Sequence, residues 1–163
     1  MRQGFARYAI VALLSLLTGA AGTWMLRRPG QPLDAVTTHG EWVRIASPSG
    51  DSIRAYIAYP ERKDPGPGII VIHEIFGLTT WEPTVVDKLA AAGYVAIVPD
   101  LLSSRYGATP ADPDSGRKLT ATLMPDQVTG DLNAVYGWLA ALPATRRDDI
   151  ATIGFCWGGG QSF

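Results

Sequence analysis

One nucleophilic side chain sits in a setting suited to its chemistry. The β-branched run Ile150-Ala151-Thr152-Ile153 leads into Gly154-Phe155-Cys156-Trp157-Gly158-Gly159-Gly160. A Gly-x-Cys-x-Gly turn between strand and helix lifts its central side chain to the edge of a sheet, here with sulfur in place of the usual serine oxygen. A helix starting behind the turn favours thiolate through its unpaired N–H groups and positive end. The N–H of Trp157 can donate to a developing oxyanion. Glycines at 154 and 158 remove β-carbons where a tight turn crowds the backbone. The implied chemistry is acyl transfer through a thiolate. The alternative is a buried, inert cysteine beside a glycine-rich turn.

Two more stretches carry candidate groups. His73-Glu74-Ile75-Phe76-Gly77-Leu78 follows the apolar run Ile69-Ile70-Val71-Ile72. The N–H of Ile75 is a candidate second oxyanion donor. Glu74 puts a carboxylate at the same edge, where it can hydrogen-bond the resting thiol or orient the site. Taken alone, Glu74 reads as a solvated loop carboxylate. His73 reads as a packed, hydrogen-bonded histidine at a strand end rather than as a base. Adjacent His73 and Glu74 point opposite ways on a strand, with no further ligands near, so no metal site is expected. No organic cofactor is implied. After the next strand comes Asp100-Leu101-Leu102-Ser103-Ser104-Arg105-Tyr106-Gly107. The planar guanidinium of Arg105 suits a substrate carboxylate held through two bonds. A plain surface arginine is the alternative. Arg146 and Arg147 read as a solvated turn between helix and strand.

These groups need a sheet to hold them. The chain has 163 residues, 47% of them hydrophobic, and a formal net charge of −1. That suits a single globular domain and gives no electrostatic case for nucleic acid as partner. One cysteine excludes an internal disulfide, and both histidines, His39 and His73, precede Cys156. Glu41–Ile45 and Ser52–Tyr59 alternate in polarity around the turn Pro48-Ser49-Gly50-Asp51, which predicts an antiparallel hairpin. The continuous apolar runs Ile69–Ile72 and Tyr94–Val98 suit strands buried on both faces of a parallel sheet. Thr79-Thr80-Trp81-Glu82 is a capping box. Its helix carries Val85, Val86, Leu89 and Ala90 on one face and ends at Gly93. A loop with Gly107, Pro110 and Pro113 follows. Asp126 is placed to cap a helix with Val128, Leu132, Val135, Leu139 and Leu142 on its apolar face. Asp149 leads into the strand before Cys156. The order is an antiparallel hairpin, then strand, helix, strand, helix, strand and turn. That order describes an α/β sheet built by right-handed crossovers.

The first residues stand apart. Arg2 and Arg7 precede the uncharged run Tyr8–Leu26, 19 residues long, which Arg27 and Arg28 close. Gly19-Ala20-Ala21-Gly22 offers small residues to a signal peptidase. A membrane crossing takes about 20 apolar residues. Residues 1–28 are therefore expected to be a signal peptide or an N-terminal membrane anchor. Residues 29–40 are expected to be a linker, and residues 41–163 the domain, exported or held at a membrane by residues 8–26.

HEIFGL at 73–78, AAGYVAIVPDLLSSR at 91–105 and IGFCWGGG at 153–160 together resemble the dienelactone hydrolase family of the α/β-hydrolase fold. The resemblance covers about residues 41–163. It implies a Cys-His-Asp triad with Cys156 as nucleophile. It implies that Glu74 contacts the resting thiol and that the amides of Ile75 and Trp157 hold the oxyanion. It also implies a carboxylate-binding arginine at or near Arg105. The implied reaction is hydrolysis of a small-molecule lactone or carboxylic ester. A thioesterase or general esterase on the same scaffold and a non-catalytic, membrane-tethered remnant are the alternatives. The family's triad Asp and His follow the nucleophile at a distance, whereas Phe163 lies seven residues after Cys156. The expectation is an N-terminal portion of the hydrolase fold, a fragment that alone is unstable and inactive.

Overall fold

The computed structural model describes residues 37–162. The expected hydrophobic helix, signal or anchor lies outside them. Among the described residues no helix is long and apolar enough to cross a membrane.

Strand β1, Thr38–Ala46, and strand β2, Ser52–Pro60, form the predicted antiparallel hairpin, with Val43 opposite Ala55. The ladder runs back to Thr38 opposite Pro60. The last residues of the expected linker, Thr38 to Gly40, therefore belong to the strand. β1 is an edge strand and carries Glu41 and Arg44 on exposed positions, charges that discourage pairing with another chain. Strands β3, Gly66–Ile72, β4, Val95–Asp100, and β5, Thr145–Gly154, complete a sheet in the order β1-β2-β4-β3-β5. β3 pairs in parallel with both β4 and β5, whereas β2 runs antiparallel to β4.

The continuous apolar runs are explained by burial on both faces. Ile70 and Ile72 of β3 and Ile97 of β4 join a cluster with Val128, Val135 and Leu139. Val71, Ala96 and Val98 point the other way, into a cluster with Val86 and Ala90. The second set belongs to helix α1, Trp81–Ala91, which ends before Gly93 at φ 101°. The Thr79 hydroxyl accepts from the Trp81 N–H at 3.2 Å, and Glu82 accepts from the Thr79 N–H at 2.9 Å. Glu82 reaches back as predicted, but the hydroxyl accepts from Trp81 rather than from Glu82, and the helix begins one residue later, with Thr80 at the cap.

Two short helices replace the expected loop: α2, Ser103–Tyr106, and α3, Pro113–Thr120. Asp112 caps α3 by accepting from the Ser115 N–H at 2.9 Å, and Pro113 opens its first turn. Helix α4, Pro125–Ala140, has Met124 at its cap and Asp126 in its first turn. Asp126 is therefore not the cap, because Pro125 already occupies the first helical position. Asp131, on the core side of α4, is buried and accepts from the Ser47 hydroxyl at 2.5 Å and the Ser104 hydroxyl at 2.8 Å. It ties the hairpin turn and α2 to the long helix. β5 starts earlier than Ile150: Thr145 pairs with Gly66, and after an irregularity Ile150 pairs with Gly68. Arg146 and Asp149 form an ion pair within that irregular stretch.

Leu139 is fully buried, whereas Met124 is 62% exposed. Leu139→Ala should lower unfolding stability by about 2–5 kcal/mol through lost burial and a cavity. Met124→Ala should move it by less than about 0.5 kcal/mol. Urea unfolding followed by circular dichroism measures both; equal midpoints for the two variants would contradict the placement of α4.

Candidate active site

Cys156 links β5 to helix α5, Trp157–Gln161, with φ 51° and ψ −115°. It is the single non-glycine residue with positive φ among the described residues. Such backbone costs on the order of 1–3 kcal/mol and persists where its surroundings fix it. The surroundings here are backbone. A β-carbon on Gly154 would run into the Gly158 carbonyl, and one on Gly158 would run into the carbonyls of His73 and Ile72. The N–H of Phe155 donates to the Ile72 carbonyl at 3.3 Å, and that of Gly158 donates to the Phe155 carbonyl at 2.9 Å. The thiol that this turn presents is exposed, not buried.

Register brings the second stretch alongside. Ile72 pairs with Gly154, so residues 73–75 and 155–157 leave the same edge on neighbouring strands. Glu74 and Ile75 are half-buried there. Their turn is closed by the Gly77 N–H on the Glu74 carbonyl at 3.2 Å, with Gly77 at φ 82°. The Trp157 N–H opens α5, where no preceding helical turn offers it a carbonyl. Cys156, Glu74 and the amides of Ile75 and Trp157 thus converge on one edge of the sheet.

His73 lies beneath them and is fully buried. Its Nδ1 lies 2.7 Å from the Glu74 carbonyl, and the Leu101 N–H points at its Nε2 from 3.3 Å. A carbonyl partner requires the proton on Nδ1 and leaves Nε2 as acceptor. The ring also stacks on Trp157, with centroids 5.5 Å apart. Burial lowers its pKa below the usual histidine range, against the pull of the Glu74 carbonyl. His73 is therefore a neutral spacer between three segments, as expected, with no nitrogen free for catalysis. His39 lies at the start of β1, at the opposite edge of the sheet, 4.0 Å from Glu41 and against the Tyr59 ring. Neither imidazole is placed to serve Cys156 as a base.

Arg105 falls on the exposed side of α2, its guanidinium 5.6 Å from the centre of the Tyr106 ring. A cleft of about 610 Å³ opens at this edge of the sheet, and its wall is formed without Arg105. The guanidinium in that wall belongs to Arg54. It lies over Trp42, 3.7 Å from the ring centre. Alternation along β2 makes Arg54 look like an ordinary solvent-facing residue. The missed signal is direction: β2 runs against β4, so its first residues lie beside the last of β4, with Arg54 opposite Asp100. Metal-ligand clusters are absent among the described residues.

Cys156→Gly should raise unfolding stability by about 1 kcal/mol or more, because glycine tolerates this backbone. Gly158→Ala should lower it by more than that gain, and urea titration of the pair checks the crowding. His73 generates a pH prediction. Its folded-state pKa lies below the ordinary 6.5, so the unfolded chain binds the proton more readily. Stability should be complete above about pH 6.5 and decline as pH falls from there toward the folded-state value. The urea midpoint of wild type relative to His73→Gln, followed from pH 7.5 to 5, should show that decline. A flat difference would contradict the buried neutral ring.

The model of the dienelactone hydrolase family matches residues 53–163. A Synechocystis sp. (strain ATCC 27184 / PCC 6803 / Kazusa) protein, provisionally named a carboxymethylenebutenolidase, is 34% identical over 112 residues, covering 66% of this chain and 46% of that protein. The carboxymethylenebutenolidase of Pseudomonas putida is 30% identical over 129 residues, 76% of this chain and 54% of the relative. The chain thus spans about half the length of these curated relatives. A crystal structure from Klebsiella pneumoniae subsp. pneumoniae MGH 78578, provisionally named a dienelactone hydrolase, superposes with a TM-score of 0.67 at 31% identity. That match covers 76% of this chain and 52% of the other. With its mixed sheet, its glycine-walled elbow and the match over residues 53–163, the chain belongs to the dienelactone hydrolase family of the α/β-hydrolase fold.

Proposed function

We propose that the protein built on this domain hydrolyses a lactone or carboxylic ester through the Cys156 thiolate. The observation that carries the reading is the exposed thiol held at φ 51° by a backbone of crowded glycines. The name carboxymethylenebutenolidase, borne by a relative at 30% identity, favours a small lactone as substrate. Sulfur attacks the carbonyl carbon, and the carbonyl electron pair moves onto oxygen. The amides of Ile75 and Trp157 donate to that oxyanion. Collapse breaks the bond to the alkoxide, which takes a proton and leaves a thioester. Water then attacks the thioester, releasing the acid and restoring the thiol. Glu74 holds the resting thiol before attack and orients it. The imidazole and carboxylate that the family resemblance assigns to the triad are not among residues 37–162. Residues 8–26 export the domain or anchor it in a membrane in this reading. A fusion of residues 1–40 to alkaline phosphatase should therefore be active, and a cytosolic, inactive fusion would contradict export.

The longest natural product of the gene should turn over p-nitrophenyl acetate and dienelactone. Cys156→Ala should reduce turnover by at least about 10³-fold, and Glu74→Gln by about 10-fold to 10²-fold, within the range of acid–base and nucleophile losses. Undiminished turnover in Cys156→Ala would sink the thiolate mechanism.

A further inference from the structure

The turn that carries the Ile75 amide can be accounted for bond by bond. The Gly77 N–H donates to the Glu74 carbonyl at 3.2 Å, the Leu78 N–H to the Thr109 hydroxyl at 2.9 Å and the Thr79 N–H to the Glu82 carboxylate at 2.9 Å. Among the described residues, the N–H groups of Ile75 and Phe76 have no acceptor. Two donors thus remain for a ligand, and the next three hold the turn. Of these three, the Leu78 bond alone leaves the turn and its own helix, reaching a residue 31 positions further along the chain.

That bond has a fixed sense. A hydroxyl carries one proton, and Thr109 gives its proton to Asp100 at 2.7 Å. The hydroxyl oxygen therefore faces Leu78 as an acceptor. Asp100 is buried and also accepts from the N–H groups of Thr109 at 2.8 Å and Leu102 at 3.1 Å, which hold it in place. Shape reinforces the bond. Gly77 has φ 82°, and a β-carbon there would run into the Thr109 side chain. On another side, the Phe76 carbonyl lies where a β-carbon on Gly116 of α3 would strike it. The segment after β4 thus presses on the turn at two points.

We propose that Thr109 is a positioning residue for the Ile75 amide. Its hydroxyl, aimed by Asp100, takes the Leu78 N–H and so fixes the turn that presents the donor. Without that bond Gly77 is free to rotate, because glycine tolerates the alternatives, and the Ile75 amide loses its aim. The effect on turnover rests on the hydrolase reading; the effect on the turn does not.

Thr109→Val keeps the shape and removes the hydroxyl, whereas Thr109→Ser keeps the hydroxyl. In the longest natural product of the gene, Thr109→Val should lower kcat for p-nitrophenyl acetate by about 10-fold to 10²-fold and leave KM within about threefold, as for a misplaced oxyanion donor. Thr109→Ser should stay within about threefold of wild type in both. The loss should be the same for the bulkier p-nitrophenyl benzoate. A change confined to KM or to the benzoate would make Thr109 a wall of the cleft and overturn the proposal. Nuclear magnetic resonance on the same proteins reads the turn without turnover. The Ile75 amide signal should move in Thr109→Val and return in Thr109→Ser, and the Leu78 amide should exchange about tenfold faster or more in Thr109→Val. An Ile75 signal indifferent to the hydroxyl would overturn the proposal. Should Thr109→Val fail to fold by circular dichroism, hydrogen exchange in wild type decides. Leu78 protected about tenfold or more beyond Ile75 and Phe76 supports the bond, and equal protection overturns it. Moved signals with no Cys156-dependent turnover in any form keep the positioning role and remove the hydrolase reading. Cys156-dependent turnover that Thr109→Val leaves unchanged does the reverse.

Discussion

Everything at the reactive edge depends on how closely one backbone approaches another. Gly158 lies against the carbonyls of Ile72 and His73, and Gly154 against the carbonyl of Gly158. Three strand-end and helix-start segments share a space that has no room for a single β-carbon. That closeness forces Cys156 into a backbone conformation that it would otherwise avoid. The same closeness sets the amides of residues 75 and 157 on neighbouring strands' exits. Loosening it by one methyl group would relax the cysteine and move the two segments apart.

The rest of the fold keeps that approach rigid. β3 lies between β4 and β5, buried on both faces, so its end cannot retreat from the elbow without opening two apolar clusters. Below it, His73 joins the Glu74 carbonyl, the Leu101 amide and the Trp157 ring. A charged imidazole there would have two donors facing one acceptor and one N–H, so protonation would break the bridge to Leu101. Asp131 performs a similar office at the hairpin turn, binding Ser47 and Ser104 with one buried carboxylate.

Much of this is legible in the sequence, for identifiable reasons. The elbow declares itself because only glycine fits its flanks, and the strands declare themselves because two-sided burial demands continuous apolar runs. The parallel centre and the antiparallel hairpin both follow from those runs and their spacing. What escapes is what depends on weak local signals or on direction. Helix α3 is almost wholly polar, and Pro110 and Pro113 read as breakers, although Asp112-Pro113 is a good helix start. Asp126 competes with Pro125 for the same helix entrance and loses. Arg54 carries no mark of its own along β2; only the reversed direction of that strand reveals where its side chain ends up. That Glu74 and Cys156 share an edge is read from their motifs, whereas the register that puts Ile72 beside Gly154 needs the sheet order.

The antiparallel hairpin has a consequence for how this scaffold can diversify. Cys156, Glu74 and the two amides come from the parallel strands β3 and β5 and the turns that leave them. Trp42 and Arg54 come from β1 and β2, at the far side of β4. The hairpin side of the cleft is thus encoded apart from the proposed site residues, whereas Phe76 and Leu78 on its other side follow Glu74 and Ile75 directly. Residues on the hairpin can drift, exchanging one molecular taste for another, while the crowded elbow stays as it is.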